Sequence, residues 1–392
     1  MNKPKQPVVQ FICLIVMLAA IALQGFTHVI KVKPLYNCWN QPITYSLDKV
    51  ALTSETYHNG SYQLYLAEKA WQSTGFREFF CRSYNQLTYA FGKTVNPYVL
   101  KGRHKELYLL GNLTDVTGQT LMERYGSVEN AQAEARNNVA ATLALVDTLK
   151  QHGTNFLFVF CPTKPAVYPE YMPEPYKDNV FDFSLVDYYM ELFKENNIPY
   201  IDFYNYFKTL KNSSEYPLYT RFGGHWAAST MPLVTDSILR KMESIGGYKL
   251  PTVSCVDPNL TRNYSEQDGE LEPSLNLLFP LAKPKIPKPV LALTDTIGAD
   301  RLNLIIVADG YFVPLEKTCF LDAFGTWNYL KYNDYIVSSD PAISWQRISE
   351  YPGARLLLEN ADIVMAMYTS NYLFDYMNGF TQTAQEIFSR TN

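Results

Sequence analysis

The sequence predicts an α/β protein, a three-layer α/β/α domain on a mostly parallel sheet with a transmembrane helix ahead of it. Three observations carry that expectation. From Leu107 onward, apolar runs of strand length alternate with helical patterns, which is the signature of βαβ crossovers and a sheet covered on both faces. The runs are apolar at nearly every position, as strands buried on both sides are. Val8 to Phe26 carries no charged residue and is long enough to cross a bilayer.

Taken in order, the N-terminus comes first. Lys3 and Lys5 precede the apolar run, favouring a cytoplasmic tip, and Lys31 and Lys33 follow it. Residues 1–30 therefore read as a tip and signal anchor, single-pass, with the bulk of the chain extracytoplasmic, periplasmic or at the cell surface. A cleaved signal peptide is the competing reading, because Ala20-Ile-Ala22 has the small-residue spacing of a cleavage site. The run continues beyond Ala22, which favours the anchor. Residues 31–100 are aromatic and weakly periodic, a helical lead-in, and 101–392 form the α/β domain.

Within that domain Leu107–Gly111 reads as a strand. A helix follows over Asn130–Gln151, with Val139, Leu143 and Val146 on one face and Gly153 suited to its end. Asn155–Phe160 is a buried strand. Leu185–Asn197 is a helix with Ser184 placed to cap it. Tyr200–Phe203 is a short strand, and Ala227–Glu243 a helix ending near Gly246. Phe279–Pro289, with four prolines, reads as an insertion or linker. Leu302–Ala308 and Asp362–Met367 are the remaining strands, and a helix closes the chain.

Composition excludes several classes. Lys and Arg number 34 and Asp and Glu 38 in 392 residues, a net charge of −4, which argues against nucleic acid as the ligand. Hydrophobic content of 47% with 18% charged residues excludes a disordered chain. Aromatics reach 15%, with 30 Tyr, a residue suited to half-wet surfaces. Cys38, Cys81, Cys161, Cys255 and Cys319 are widely spaced, with no C-x-x-C pair and no His cluster. That excludes a zinc ribbon and a dense disulfide scaffold, and neither metal nor cofactor is expected.

Ligands of such sheets bind beyond the carboxyl ends of the strands. Three segments meet that condition: Cys161-Pro-Thr-Lys164, the loop around His225, and Ala308-Asp-Gly-Tyr311. Of five histidines, His225 in Phe222-Gly-Gly-His-Trp226 stands out, since two glycines permit a turn that aims an imidazole into a cleft. A histidine bonded to backbone at a helix start fits the same spacing. Asp309-Gly310 is a turn signal first.

With these segments in hand, the chain resembles the SGNH-hydrolase-like proteins of polysaccharide O-acetylation, the alginate O-acetylation (DHHW-type) group in its membrane-anchored form. Gly75-Phe-Arg-Glu-Phe-Phe80 and Phe91-Gly-Lys93 resemble the group's lead-in, and Gly102–Tyr108 its G-K-D-G-x-L-F element, with Lys105 in place of the second glycine. Leu157–Glu170 is similar to its strand-P-x-K-x-x-x-Y-P-E segment, and Tyr216–Tyr219 with Gly224-His-Trp226 to its P-L-x…HW element. Leu304–Tyr311 falls on the serine block, in the permuted order of that group.

The resemblance implies acyl transfer by a Ser-His-Asp triad, because a serine hydroxyl is a poor nucleophile without a positioned base. Carried over, the base is His225 and the strand-end Asp is Asp309. The nucleophile position falls on Gly310 and the orienting carboxylate on Gly223, so two triad members are absent. Ser229 and Cys161 are the candidates for a displaced nucleophile. Lys164, Tyr168, Trp226 and Gly310 are the substrate-binding candidates, although a surface lysine and a packed tyrosine explain the first two as simply. The expected function is an extracytoplasmic, catalytically degenerate protein of surface-polysaccharide O-acetylation. Its expected partners are a surface polysaccharide or a membrane-bound O-acyltransferase, with the N-terminal helix in the membrane. The alternatives are an active O-acetyltransferase or acetylesterase, and a structural envelope protein.

Overall fold

A computed structural model describes residues 6–27, 29–37, 41–43 and 48–390; Lys3, Lys5, His28 and Cys38 lie outside them. The chain divides into two units, Met1–Val99 with Leu271–Leu281, and Leu100–Glu270 with Ala282–Asn392.

The first unit is helical. Gln6–Thr27 is a helix of 22 residues, about 33 Å at 1.5 Å per residue. Among the described residues it is the one helix long and apolar enough to cross a membrane. Its end packs backbone to backbone, for a Cβ on Gly25 would lie 2.0 Å from the Ser73 carbonyl and one on Gly75 2.1 Å from that of Ile21. Glycine is what permits so close an approach. Three further helices follow, Ser54–His58, Ser61–Gln72 and Arg77–Ala90. The Arg82 guanidinium donates to the Leu277 carbonyl at 2.9 Å, and Asn85 to that of Leu275 at 3.1 Å. Those bonds tie the 271–281 segment to the lead-in helices.

The second unit holds the sheet. Its strands, with those leading into it, are β1 (Val99–Lys101), β2 (Leu107–Leu109), β3 (Asn155–Cys161), β4 (Tyr200–Asp202), β5 (Thr252–Thr261), β6 (Ile286–Thr294), β7 (Asn303–Ala308), β8 (Thr326–Lys331), β9 (Tyr335–Ser338) and β10 (Ile363–Thr369). Six form one sheet in the order β4-β3-β10-β7-β8-β9, parallel except for the β9 edge. β1 pairs with β2, and β5 with β6, in two-stranded ribbons.

Alternation along each strand divides the core in two. Phe156, Phe158 and Phe160 point to one face with Val364, Ala366 and Tyr368, where they meet the helices Val128–Gln151, Leu185–Glu195 and Phe380–Ser389. Leu157, Val159 and Cys161 point to the other with Met365 and Met367, against Phe203–Leu210 and Met231–Gly246. This is the α/β/α sandwich that the apolar runs anticipate. Local capping is also as expected: the Ser184 hydroxyl accepts from Asp187 N at 3.2 Å.

Three elements differ from the sequence reading. The Leu107 strand stops at Leu109, and a helix begins at Leu110. The predicted helix from Ala227 begins as a short 3₁₀ turn and becomes α-helical at Met231. Phe279–Pro289 is not a plain linker, since Ile286–Thr294 is the strand β6, with Pro287 opposite Leu260. A two-stranded ribbon leaves one edge of each strand unpaired, so prolines fit there.

Asp115, on the helix Leu110–Val116, accepts the Ser370 hydroxyl beyond β10, and burial pushes its carboxyl up to about 7. The folded chain therefore holds this proton more tightly than the unfolded chain. Its contribution makes stability fall as pH rises from about 4, the ordinary carboxylate range, through 7. Asp115→Asn is expected to flatten that slope and raise Tm by a few degrees at pH 8. Thermal melts from pH 4 to 8 check this, and an unchanged slope would refute it.

Candidate functional site

Three loops meet at the carboxyl ends of β3, β7 and β10. The loop bearing His225 is fastened from below. Lys164, just after β3, is 1% exposed, and its ammonium donates to the carbonyls of Leu107 (2.9 Å), Thr220 (2.8 Å), Arg221 (3.0 Å) and Gly223 (3.3 Å). It also pairs with Glu106 Oε2 at 2.9 Å. Burial pulls the ammonium pKa down while Glu106 works to raise it. Trp226 is fully buried, edge-on to Phe203 and Tyr311. The Ala227 N–H closes the loop on Leu218 O at 2.8 Å.

The imidazole of His225 is thereby held with Nδ1 against the Glu270 carboxylate, 2.7 and 2.8 Å from its two oxygens. The backbone N–H groups of Gly224 and His225 donate to Glu270 Oε1 at 2.8 and 3.0 Å. In the neutral ring Nδ1 then carries the proton and Nε2 is the free acceptor, the tautomer a general base needs. Burial opposes the charged imidazole, but Glu270 outweighs it and the His225 pKa is raised. Burial likewise opposes the Glu270 carboxylate, yet His225 and the two N–H groups hold its pKa below the ordinary value.

The signs set a pH window. The His225 contribution to stability is complete below its unfolded pKa of about 6.5 and is lost as pH rises through the raised folded value. The Glu270 contribution is complete above about 4.3 and is lost as pH falls through the depressed one. Glu270→Gln should therefore cost most stability between those limits and should lower the His225 pKa. Imidazole titration by NMR checks it, and an unmoved pKa would refute the coupling.

Opposite Nε2 lies Gly310. A Cβ on Gly310 would sit 3.1 Å from His225 Nε2 and 3.2 Å from Tyr332 Oη. Gly310, His225 and Tyr332 are each partly exposed, so this point opens to solvent. Tyr332 sits in the turn between β8 and β9 with a left-handed backbone, φ +52°. Asn333 beside it is also left-handed, φ +55°, as the tight turn of a hairpin requires. Burial raises its pKa, and Tyr372 hydrogen-bonds to its side chain. Tyr311 packs on the imidazole at 4.8 Å between centroids and donates to Gly224 O at 3.0 Å.

The sequence-derived residues fall into distinct places. His225 and Gly310 come together. Asp309 is fully buried, and its carboxylate accepts from Tyr311 N (2.9 Å), Thr369 N (2.9 Å) and Thr369 Oγ1 (2.7 Å), joining the ends of β7 and β10. Lys164 and Trp226, expected to contact substrate, are instead a buried tether and a core residue. Their polar and aromatic character is spent on shaping the loop. Gly223, the expected place of the orienting carboxylate, has no room for one, because a Cβ there would lie 2.4 Å from Gln267 O. Glu270 supplies the carboxylate from 45 residues downstream.

Tyr168 stacks on Tyr171 at 5.9 Å in a cleft of about 450 Å³ with His104, Tyr216 and Arg221. Its hydroxyl accepts from Leu218 N at 3.1 Å. Ser229 Oγ donates to Pro217 O at 3.3 Å, and Cys161 is buried in the core with its thiol pKa pushed well up by burial. Each spends its proton on a backbone carbonyl, Pro217 O for Ser229 and Val159 O for Cys161. Sequence reasoning missed Glu270 and Tyr332; the acidic run Glu266–Glu270 was the one signal for the former. Among the described residues no group of three His, Cys, Asp or Glu side chains is placed to hold a metal.

Residues 121–246 match a family described as SGNH hydrolase-like domain, acetyltransferase AlgX. That span contains His225 and ends before Glu270 and Gly310. Among solved structures, the O-acetyltransferase domain of Pseudomonas putida AlgJ is similar at 15% identity and TM-score 0.44, over 75% of this chain and 100% of that one. Pseudomonas aeruginosa AlgX is similar at 14% identity and TM-score 0.45, over 73% of this chain and 67% of that one. Bacillus cereus PatB1 with a sulfonyl adduct follows at 11% identity and TM-score 0.37, over 63% and 90%. No curated protein matches the chain. Over residues 121–246, and over those alone, the chain is similar to the family described as SGNH hydrolase-like domain, acetyltransferase AlgX.

Proposed function

We propose that this chain is a nucleophile-less member of the polysaccharide O-acetylation machinery, anchored by Gln6–Thr27 with its bulk outside the cytoplasm. On this reading it binds the surface polysaccharide, alongside a membrane-bound O-acyltransferase, rather than carrying an acetyl group itself. One observation supports it above others: a complete His225–Glu270 dyad faces a glycine where a serine would stand. A triad without its nucleophile keeps only the modest rate effects of binding and electrostatics. Tyr332 Oη is the nearby hydroxyl, but its raised pKa keeps it protonated and a poor attacking group.

The test pairs two assays on the full chain in detergent. Hydrolysis of p-nitrophenyl acetate should equal that of His225→Ala, and surface polysaccharide purified from the source cells should be retained. A His225-dependent turnover would replace this reading with an active esterase, and no retention would remove the glycan-binding half.

A further inference from the structure

His225 and Tyr332 come from loops more than a hundred residues apart, yet both aim a polar atom at one solvent-open point over Gly310. Tyr372 and the Gly310 N–H hold the Tyr332 hydroxyl there, and Glu270 fixes which imidazole nitrogen faces it. We infer that this point is a hydroxyl-binding subsite: a hydroxyl of the bound glycan enters beside Gly310, in the place of a serine hydroxyl, and is held by His225 Nε2 and Tyr332 Oη. The inference rests on the glycan-binding reading and names how that ligand is gripped.

The chemistry of the two partners selects the ligand group. Neutral His225 offers an acceptor at Nε2, and the imidazolium offers a donor. The Tyr332 hydroxyl donates to Tyr372 and accepts from the Gly310 N–H, which leaves it a lone pair for a ligand proton. A ligand hydroxyl accepts from the imidazolium at Nε2 and gives its one proton to Tyr332 Oη, so a group that both donates and accepts fits the pair. A carboxylate accepts only and an ammonium donates only, so each fails one of them. A side chain at residue 310 would occupy the approach, and glycine leaves it open.

The experiment measures binding of end-labelled surface polysaccharide, purified from the source cells, to the full chain in nanodiscs. Tyr332→Phe should weaken binding about tenfold, the loss of one hydrogen bond to the ligand, and Gly310→Ala at least as much, because its methyl group fills the approach to both partners. Per-O-methylated polymer, with no hydroxyl to offer, should bind the natural chain no better than it binds Gly310→Ala. Should Gly310→Ala fail to fold, Tyr332→Phe and the methylated polymer carry the result. Binding by the natural chain that neither variant nor methylation weakens overturns the subsite and leaves the glycan reading standing. Absence of binding by the natural chain overturns both.

Discussion

Gly310→Ser is expected to raise hydrolysis of p-nitrophenyl acetate by at least about 100-fold, because on the proposed nucleophile-less reading it adds a nucleophile to the His225–Glu270 pair. Its Cβ would stand 3.1 Å from His225 Nε2, so the hydroxyl comes within reach of the base after a small adjustment of the ring. The Gly310 backbone is outside the left-handed region, so serine is conformationally acceptable. A sulfonyl fluoride should then label G310S at one group per chain, and His225→Ala in that background should abolish both signals. No second change at Gly223 is needed. Gly223→Asp should instead destabilise the loop, since its Cβ would collide with Gln267 O. A folded G310S without turnover would show that the three groups do not act as a unit.

Lys164→Met should lower stability by about 3–5 kcal/mol, the cost of breaking a buried ion pair from one side. The change leaves the Glu106 carboxylate and the carbonyls of Leu107, Thr220, Arg221 and Gly223 without their common donor. Three of those carbonyls belong to the turn that presents His225. In the G310S background the same change should therefore remove activity even below the melting temperature. Chemical denaturation read by tryptophan fluorescence and circular dichroism checks the first effect. A loss under about 1 kcal/mol would mean that Lys164 is a replaceable filler.

The two effects differ in how much of their origin is legible in sequence. Gly310 is visible as a departure only through the resemblance, which sets it where a serine would stand, at the end of an apolar strand. Lys164 is visible only as a lysine after a strand, and nothing local says that it is buried. Its acceptors come from Leu107 and from the Thr220–Gly223 turn, brought together by the packing around β3.

By itself the sequence determined the alternating strands and helices, the two apolar faces of the sheet and the charge-free N-terminal helix. These follow from periodicity and capping, which act over a few residues and leave a local imprint. Tertiary structure alone decided that Glu270 orients His225, that Lys164 and Trp226 support the loop from inside, and that Tyr332 shares the point over Gly310. Those contacts join segments far apart in the chain, and the order of strands in the sheet, not any local pattern, brings them within hydrogen-bonding distance.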